Sequence, residues 1–201
     1  MSNATARRAL KPICLVLALA ALWPIEAAAH PGMHGLEAGG GLWSGLLHPL
    51  GGLDHVLAMV AVGLWAVQRG GKATWLVPGA FVTIMLVAAL YGGVAAPFTE
   101  AGILGSVVVL GLLVLFRIRP PVLVGMMIVG AFAVLHGQAH GAEAPAGALL
   151  TWYAAGFTLA TVLLHGVGIA LGRLLERGGY AVLLRAAGGS VAAMGAFLAI
   201  A

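Results

Sequence analysis

Charge is what this 201-residue sequence lacks most: Asp, Glu, Lys and Arg make up 8% of it, about a third of the roughly 25% usual in soluble domains. The hydrophobic fraction is 62%, and a soluble domain of this length cannot cover so much apolar surface. The chain therefore reads as an all-α, polytopic membrane protein with the bilayer as its solvent. Cysteine is nearly absent, Cys14 standing alone, which excludes a disulfide framework. There is one aspartate, Asp54, and the basic residues behind the formal charge of +4 are scattered in small groups. That scatter argues for membrane topology and against nucleic acid. No G-x-x-x-x-G-K-[ST] motif occurs, so ATP hydrolysis by a P-loop is not encoded here.

The few polar residues are concentrated. His48-Pro49-Leu50-Gly51-Gly52-Leu53-Asp54-His55, followed by Met59, places two imidazoles and the aspartate in a run that is otherwise hydrocarbon. Residues seven apart on a helix return to nearly one face, so a continuous helix would stack His48 and His55 two turns apart, with Asp54 beside them. Ionisable groups at membrane depth cost roughly 2.5–3.5 kcal/mol each on insertion scales, which makes such a cluster a functional-site candidate. Imidazole nitrogen with one carboxylate suits borderline divalent metals such as nickel, cobalt, copper and zinc. A second cluster, Leu135-His136-Gly137-Gln138-Ala139-His140-Gly141-Ala142-Glu143, puts His136 and His140 four apart on one helical face. His165 lies alone further along and is a candidate next stop on a route. Met126 and Met127 are expected to pack, and Trp43, Trp65, Trp75, Trp152 and Tyr153 sit near segment ends, where an aromatic belt is expected.

Residues 1–29 read as a signal peptide, with Arg7, Arg8 and Lys11 ahead of a short apolar run and Ala27-Ala28-Ala29 as the cleavage site. Cleavage after Ala29 would remove Cys14 and make His30 the N-terminus of a His-bearing segment, 30–42, that also holds His34. The amine and imidazole of His30 can chelate a metal together, while Pro31 lacks the amide hydrogen that a square-planar amide site would use. Six apolar segments follow near 43–67, 73–93, 101–116, 121–137, 147–171 and 180–200. With the mature N-terminus outside, Arg69, Lys72, Arg117, Arg119, Arg173, Arg177 and Arg185 all fall inside, and the outside loops carry Glu37, Glu100 and Glu143. The positive-inside rule thus predicts a six-helix transmembrane domain over 43–201 in a bacterial inner membrane, with both mature termini periplasmic. Both histidine clusters then open toward the same compartment. Helix 1 is interrupted by Pro49, Gly51 and Gly52, and helix 4 has a short, glycine-bearing apolar run. Breaks at corresponding positions of two three-helix halves suggest an inverted repeat around a transport site.

At these residues the sequence resembles the HupE/UreJ family of nickel permeases and hydrogenase or urease accessory proteins. Its His-x5-Asp-His is matched by His48, Asp54 and His55, and its aromatic-His-Gly-x-Ala/Val-His-Gly-x-Glu by His136, Gly137, Ala139, His140, Gly141 and Glu143. Leu135 replaces the aromatic, a change that removes no ligand. The resemblance spans essentially the whole chain and implies a non-enzymatic, secondary uptake of Ni2+ across the inner membrane to supply hydrogenase or urease. It leaves Co2+ open as the transported ion, implies no permanently bound cofactor, and points to nickel-enzyme maturation machinery as the protein partner.

The expected route gathers a divalent cation at His34, His136, His140 and Glu143 and hands it to His48, Asp54 and His55, then inward by His165. Imidazole ligates only when neutral, so uptake should fall below about pH 6.5. Two other chemistries share these residues. Three histidines and an aspartate suit an intramembrane zinc hydrolase with an open water position, and two helical histidines suit bis-histidine haem.

Overall fold

The computed structural model describes residues 40–92 and 98–201. The expected signal peptide, its cleavage site and the candidate ligands His30 and His34 lie outside the described residues. Seven helices follow one another: α1 (Gly40–Gly51), α2 (Leu53–Arg69), α3 (Ala73–Gly92), α4 (Thr99–Leu115), α5 (Val122–Ala142), α6 (Leu150–Arg177) and α7 (Ala181–Leu198). No strand occurs among the described residues. Helices α3, α5, α6 and α7 are each long and apolar enough to cross a membrane, the pair α1–α2 makes a fifth candidate span, and α4 is a shorter apolar helix of 17 residues. The protein is therefore an all-helical, multi-pass membrane protein.

The first expected helix, 43–67, is not continuous. It breaks at Gly52, and α1 and α2 meet at 83°. Pro49 has no N–H for the carbonyl one turn back, and Gly51 and Gly52 add no side chain to hold the turn. Gly52 takes an extended conformation, φ −101° and ψ 115°. The Asp54 carboxylate then accepts the backbone N–H of His55 at 2.8 Å, satisfying one orphan donor of the new helix start.

By contrast α5 is unbroken over 21 residues. Its apolar run looks short in sequence only because His136 and His140 count as polar, yet both are fully buried. Its glycines serve close packing: a Cβ on Gly137 would collide with the Met85 carbonyl of α3. The interruption therefore belongs to the first half of the chain and has no counterpart in the second.

Helix α2 runs through the centre, against α3, α4, α6 and α7. Its residues from Ala61 to Gln68 are all buried. At Gly63 it crosses Gly168 of α6 so closely that a Cβ on either glycine would strike the other backbone, the small-residue contact by which membrane helices approach.

The cations that sequence assigns to one side are drawn to one end. Arg185 Nε donates to the Leu115 carbonyl at 2.9 Å, Arg117 Nη2 lies 3.9 Å from Glu176 Oε1, and the Arg173 guanidinium sits 5.0 Å over the Trp75 ring. These contacts tie together the C-terminal ends of α4 and α6 and the N-terminal ends of α3 and α7. Trp43, Trp75 and Trp152 are exposed, as an aromatic belt requires, but Trp65 and Tyr153 are buried. Trp65 instead donates Nε1–H to the Ile118 carbonyl at 2.8 Å, pinning α2 to the α4–α5 connection.

Candidate functional site

At the end opposite the cations, three helices deliver most of the predicted ligands to one place. The last turn of α1 brings His48, the first turn of α2 brings Asp54 and His55, the last turns of α5 bring His136 and His140, and Glu143 follows directly. The break at Gly52 separates His48 and His55 onto two helices, yet their rings remain 6.2 Å apart, centre to centre. His55 lies between the two histidines of α5, 5.1 Å from the His136 ring and 5.0 Å from that of His140. His140 in turn lies 5.0 Å from His48. The spacing of four on α5 thus brackets the imidazole of α2.

The order of these rings is also an order of depth. The His48 side chain is 28% exposed, with its Nε2–H donating to Glu143 Oε2 at 2.8 Å. Below that lid His140, His55 and His136 are buried, and His165 on α6 is buried beyond them. Phe81 of α3 separates the last two, its ring 5.3 Å from both His136 and His165.

The hydrogen bonds fix which nitrogens are free. His55 Nδ1 is 2.9 Å from Asp54 Oδ1, His136 Nδ1 is 2.9 Å from the Phe132 carbonyl, and His165 Nδ1 is 2.9 Å from the Met59 carbonyl. Carbonyl and carboxylate oxygens only accept, so in each case Nδ1 carries the hydrogen and donates it. In a neutral ring Nε2 is then a lone pair. All three Nε2 atoms are buried without a hydrogen-bond partner, as are both ring nitrogens of His140. A histidine whose one N–H is anchored to a carboxylate or backbone carbonyl while the other nitrogen stays open has the outer-shell arrangement of a metal ligand. Four open imidazoles in a membrane interior are otherwise a cost with nothing to offset it.

Among the described residues, no three His, Cys, Asp or Glu side chains converge as a ready-made metal site. The geometry is a file of adjacent rings, not one closed cage.

Three aromatic residues belong to this site: Tyr153, which sequence placed in an aromatic belt, and Phe81 and Phe157, to which sequence gave no role. His140 stacks on Phe157 at 4.7 Å and 11° between planes. Tyr153 lies 5.8 Å from His48 and 5.5 Å from Phe157, one helical turn from the latter on α6. Phe81 is the spacer already described. The i, i+4 pairing of Tyr153 with Phe157 was visible in sequence, but only the fold shows that this face of α6 meets histidines and not lipid.

The family model described as HupE / UreJ protein matches residues 17–198. Protein HupE of Rhizobium leguminosarum bv. viciae is 46% identical over 190 residues, which cover 94% of this chain and 97% of that relative. No solved structure matches the chain. The matched span takes in both histidine-bearing helices, the break between α1 and α2 and every later helix, so the chain belongs to the HupE/UreJ family.

Proposed function

We propose that this protein is a secondary permease that carries Ni2+ from the periplasm to the cytoplasm along the histidine file, supplying a nickel enzyme such as hydrogenase or urease. Its topology in this reading is six crossings by α2 to α7, with α1 lying at the outer mouth and both mature termini periplasmic. The observation that carries the reading is the row of buried Nε2 atoms on His55, His136 and His165, each on a ring anchored through Nδ1. Ligands held in place this way shed the ion's water stepwise, and spreading them along a path keeps any one station from trapping the cargo.

Glu143 and His48 receive the ion at the mouth, where exposure is greatest and where the Glu143 carboxylate exchanges its imidazole partner for the cation. His140, whose two ring nitrogens both lack a hydrogen-bond partner, passes the ion to His55. Asp54 supplies the negative charge at that step and holds the His55 ring in the ligating tautomer. His136 and His165 continue the route inward, past Phe81. Co2+ uses the same donors. A zinc hydrolase is the weaker reading, because it needs three protein ligands closed on one ion, and these donors are strung out along the depth of the bundle.

The test is metal accumulation by cells producing the protein, compared for nickel, cobalt and zinc, with His55→Ala and His140→Ala alongside at matched membrane levels. Loss of nickel accumulation in both variants is expected. Accumulation equal to that of the unsubstituted protein in both would end the proposal, and accumulation of cobalt in place of nickel would reassign the cargo.

A further inference from the structure

The faces of α2 and α5 that carry the histidines continue toward the cation-bearing end. Fourteen residues separate His55 from Arg69, four turns to within roughly 40°, and eleven separate His136 from Gly125, three turns to within roughly 20°. The two stripes meet at both ends. His55 is beside His136 at one, and at the other Arg69 reaches α5, where a Cβ on Gly125 would lie 3.1 Å from Arg69 Nη1. The two helix backbones do not pack closely on each other, so side chains fill the seam between them. Between its ends that seam is hydrocarbon: Met59, Val62, Ala66, Val129 and Ala133 are all fully buried.

The guanidinium at the bottom of the seam is unlike the other arginines whose contacts are described. Arg185 is held by a carbonyl, Arg117 by Glu176, and Arg173 by the face of Trp75 alone near the bundle surface. Arg69 lies 5.4 Å over the Trp65 ring, with Nε and Nη1 buried and lacking any hydrogen-bond acceptor. No carboxylate pairs with it among the described residues. Trp65 itself is fixed by its bond to Ile118. The arrangement is a fixed aromatic shelf carrying a positive charge that few bonds retain.

We infer that Arg69 is the charge gate of the permease: its guanidinium, resting on Trp65 against Gly125 at the inner ends of α2 and α5, holds off a divalent cation leaving the histidine file until it swings aside. This rests on the permease reading above. A fixed positive charge in a narrow, low-dielectric passage raises the barrier to any cation. The side chain's long stem lets the head leave the shelf for water or lipid headgroups without moving the helix.

Initial nickel uptake is measured in cells or loaded vesicles at matched membrane levels. Arg69→Met keeps the length of the stem and removes the charge, and it should raise uptake about tenfold, the effect of lowering a barrier by about 1.4 kcal/mol. Arg69→Lys should stay within about twofold of the unsubstituted protein. Gly125→Ala leaves every charge in place but sets a Cβ 3.1 Å from Nη1, so the guanidinium must shift by a few tenths of an ångström, and should raise uptake to an intermediate level. It keeps the inference testable if the methionine variant inserts poorly. Lys72→Ala removes an exposed charge from the same connection and should change nothing. Unchanged or reduced uptake in both Arg69→Met and Gly125→Ala, at normal membrane levels, would overturn the gate. An equal rise in Lys72→Ala would do the same, by showing a general surface-charge effect. Absence of uptake in the unsubstituted protein would strike the permease reading instead.

Discussion

The two ends of this bundle treat their polar groups in opposite ways. At the cation-bearing end, donors are tied to backbone or to charge: Trp65 to Ile118, Gln68 Nε2 to the Val114 carbonyl, Arg185 to Leu115, Arg117 to Glu176. These contacts tie helix ends together and leave little to do chemistry with. At the histidine end the same accounting fails on purpose of geometry: each anchored ring spends one nitrogen on orientation and withholds the other. Bonded donors mark the part that holds the fold, and withheld lone pairs mark the part left open to a ligand. Arg69, whose buried Nε and Nη1 find no acceptor, and Gln68 Oε1, which accepts no bond, depart from this at their own end, and of the two it is the charged Arg69 that is assigned a moving role.

That contrast can be broken by substitution. The largest effect is expected from His140→Phe. Both nitrogens of this ring lack partners, so phenylalanine sacrifices no hydrogen bond and can keep the stack on Phe157. Nickel accumulation should fall at least about tenfold, the scale on which disturbing a metal's surroundings lowers affinity, while the unfolding midpoint in detergent holds or rises. A loss of stability to match the loss of transport would make His140 structural. Next comes Gly137→Ala, whose Cβ has no room against α3. It should cost about 1–3 kcal/mol as overpacking, read as a lowered thermal midpoint, with transport per folded molecule preserved. The smallest change belongs to the other end. Trp65→Phe keeps the ring face but loses the bond to Ile118, costing about 1 kcal/mol or less in a membrane bundle. Its thermal midpoint should drop slightly and its nickel accumulation should not fall. A transport defect there would erase the distinction between the two ends.

Much of this was legible in the sequence, because the relevant signals are local or compositional. Each apolar run holds helix, though the first is broken in two and those of α5 and α6 end short of their helices, and the sidedness of Arg and Lys anticipated the shared end now seen in the contacts of Arg117, Arg173 and Arg185. The spacing of His136 and His140 gave their common face directly. What failed were the features that depend on neighbours. Pro49 with Gly51 and Gly52 warned of an interruption, but the sequence carries no angle, and the 83° turn at Gly52 comes from how α1 and α2 each settle on α6. The apparent weakness of α5 was an artefact of treating buried histidines as polar punctuation. Trp65 and Tyr153 were placed with the surface aromatics because position near a segment end says nothing about which way a ring points. Phe81 and Phe157 had no signal at all beyond hydrophobicity, since their part in the site is to separate and back imidazoles brought by other helices.

The break at Gly52 has an electrical consequence. By ending α1 and starting α2 beside the histidines, it aims a fresh helix N-terminus, worth roughly half a positive elementary charge, at the place where the cargo would pause. The C-terminus of α1 at the same break carries the opposite half charge, so the two helix ends offset each other and the full negative charge of Asp54, in the first turn of α2, is left facing the site. In the permease proposed above, a divalent ion beside His55 would meet one carboxylate charge and neutral imidazoles: attracted enough to stop, and not caged by several charges at once.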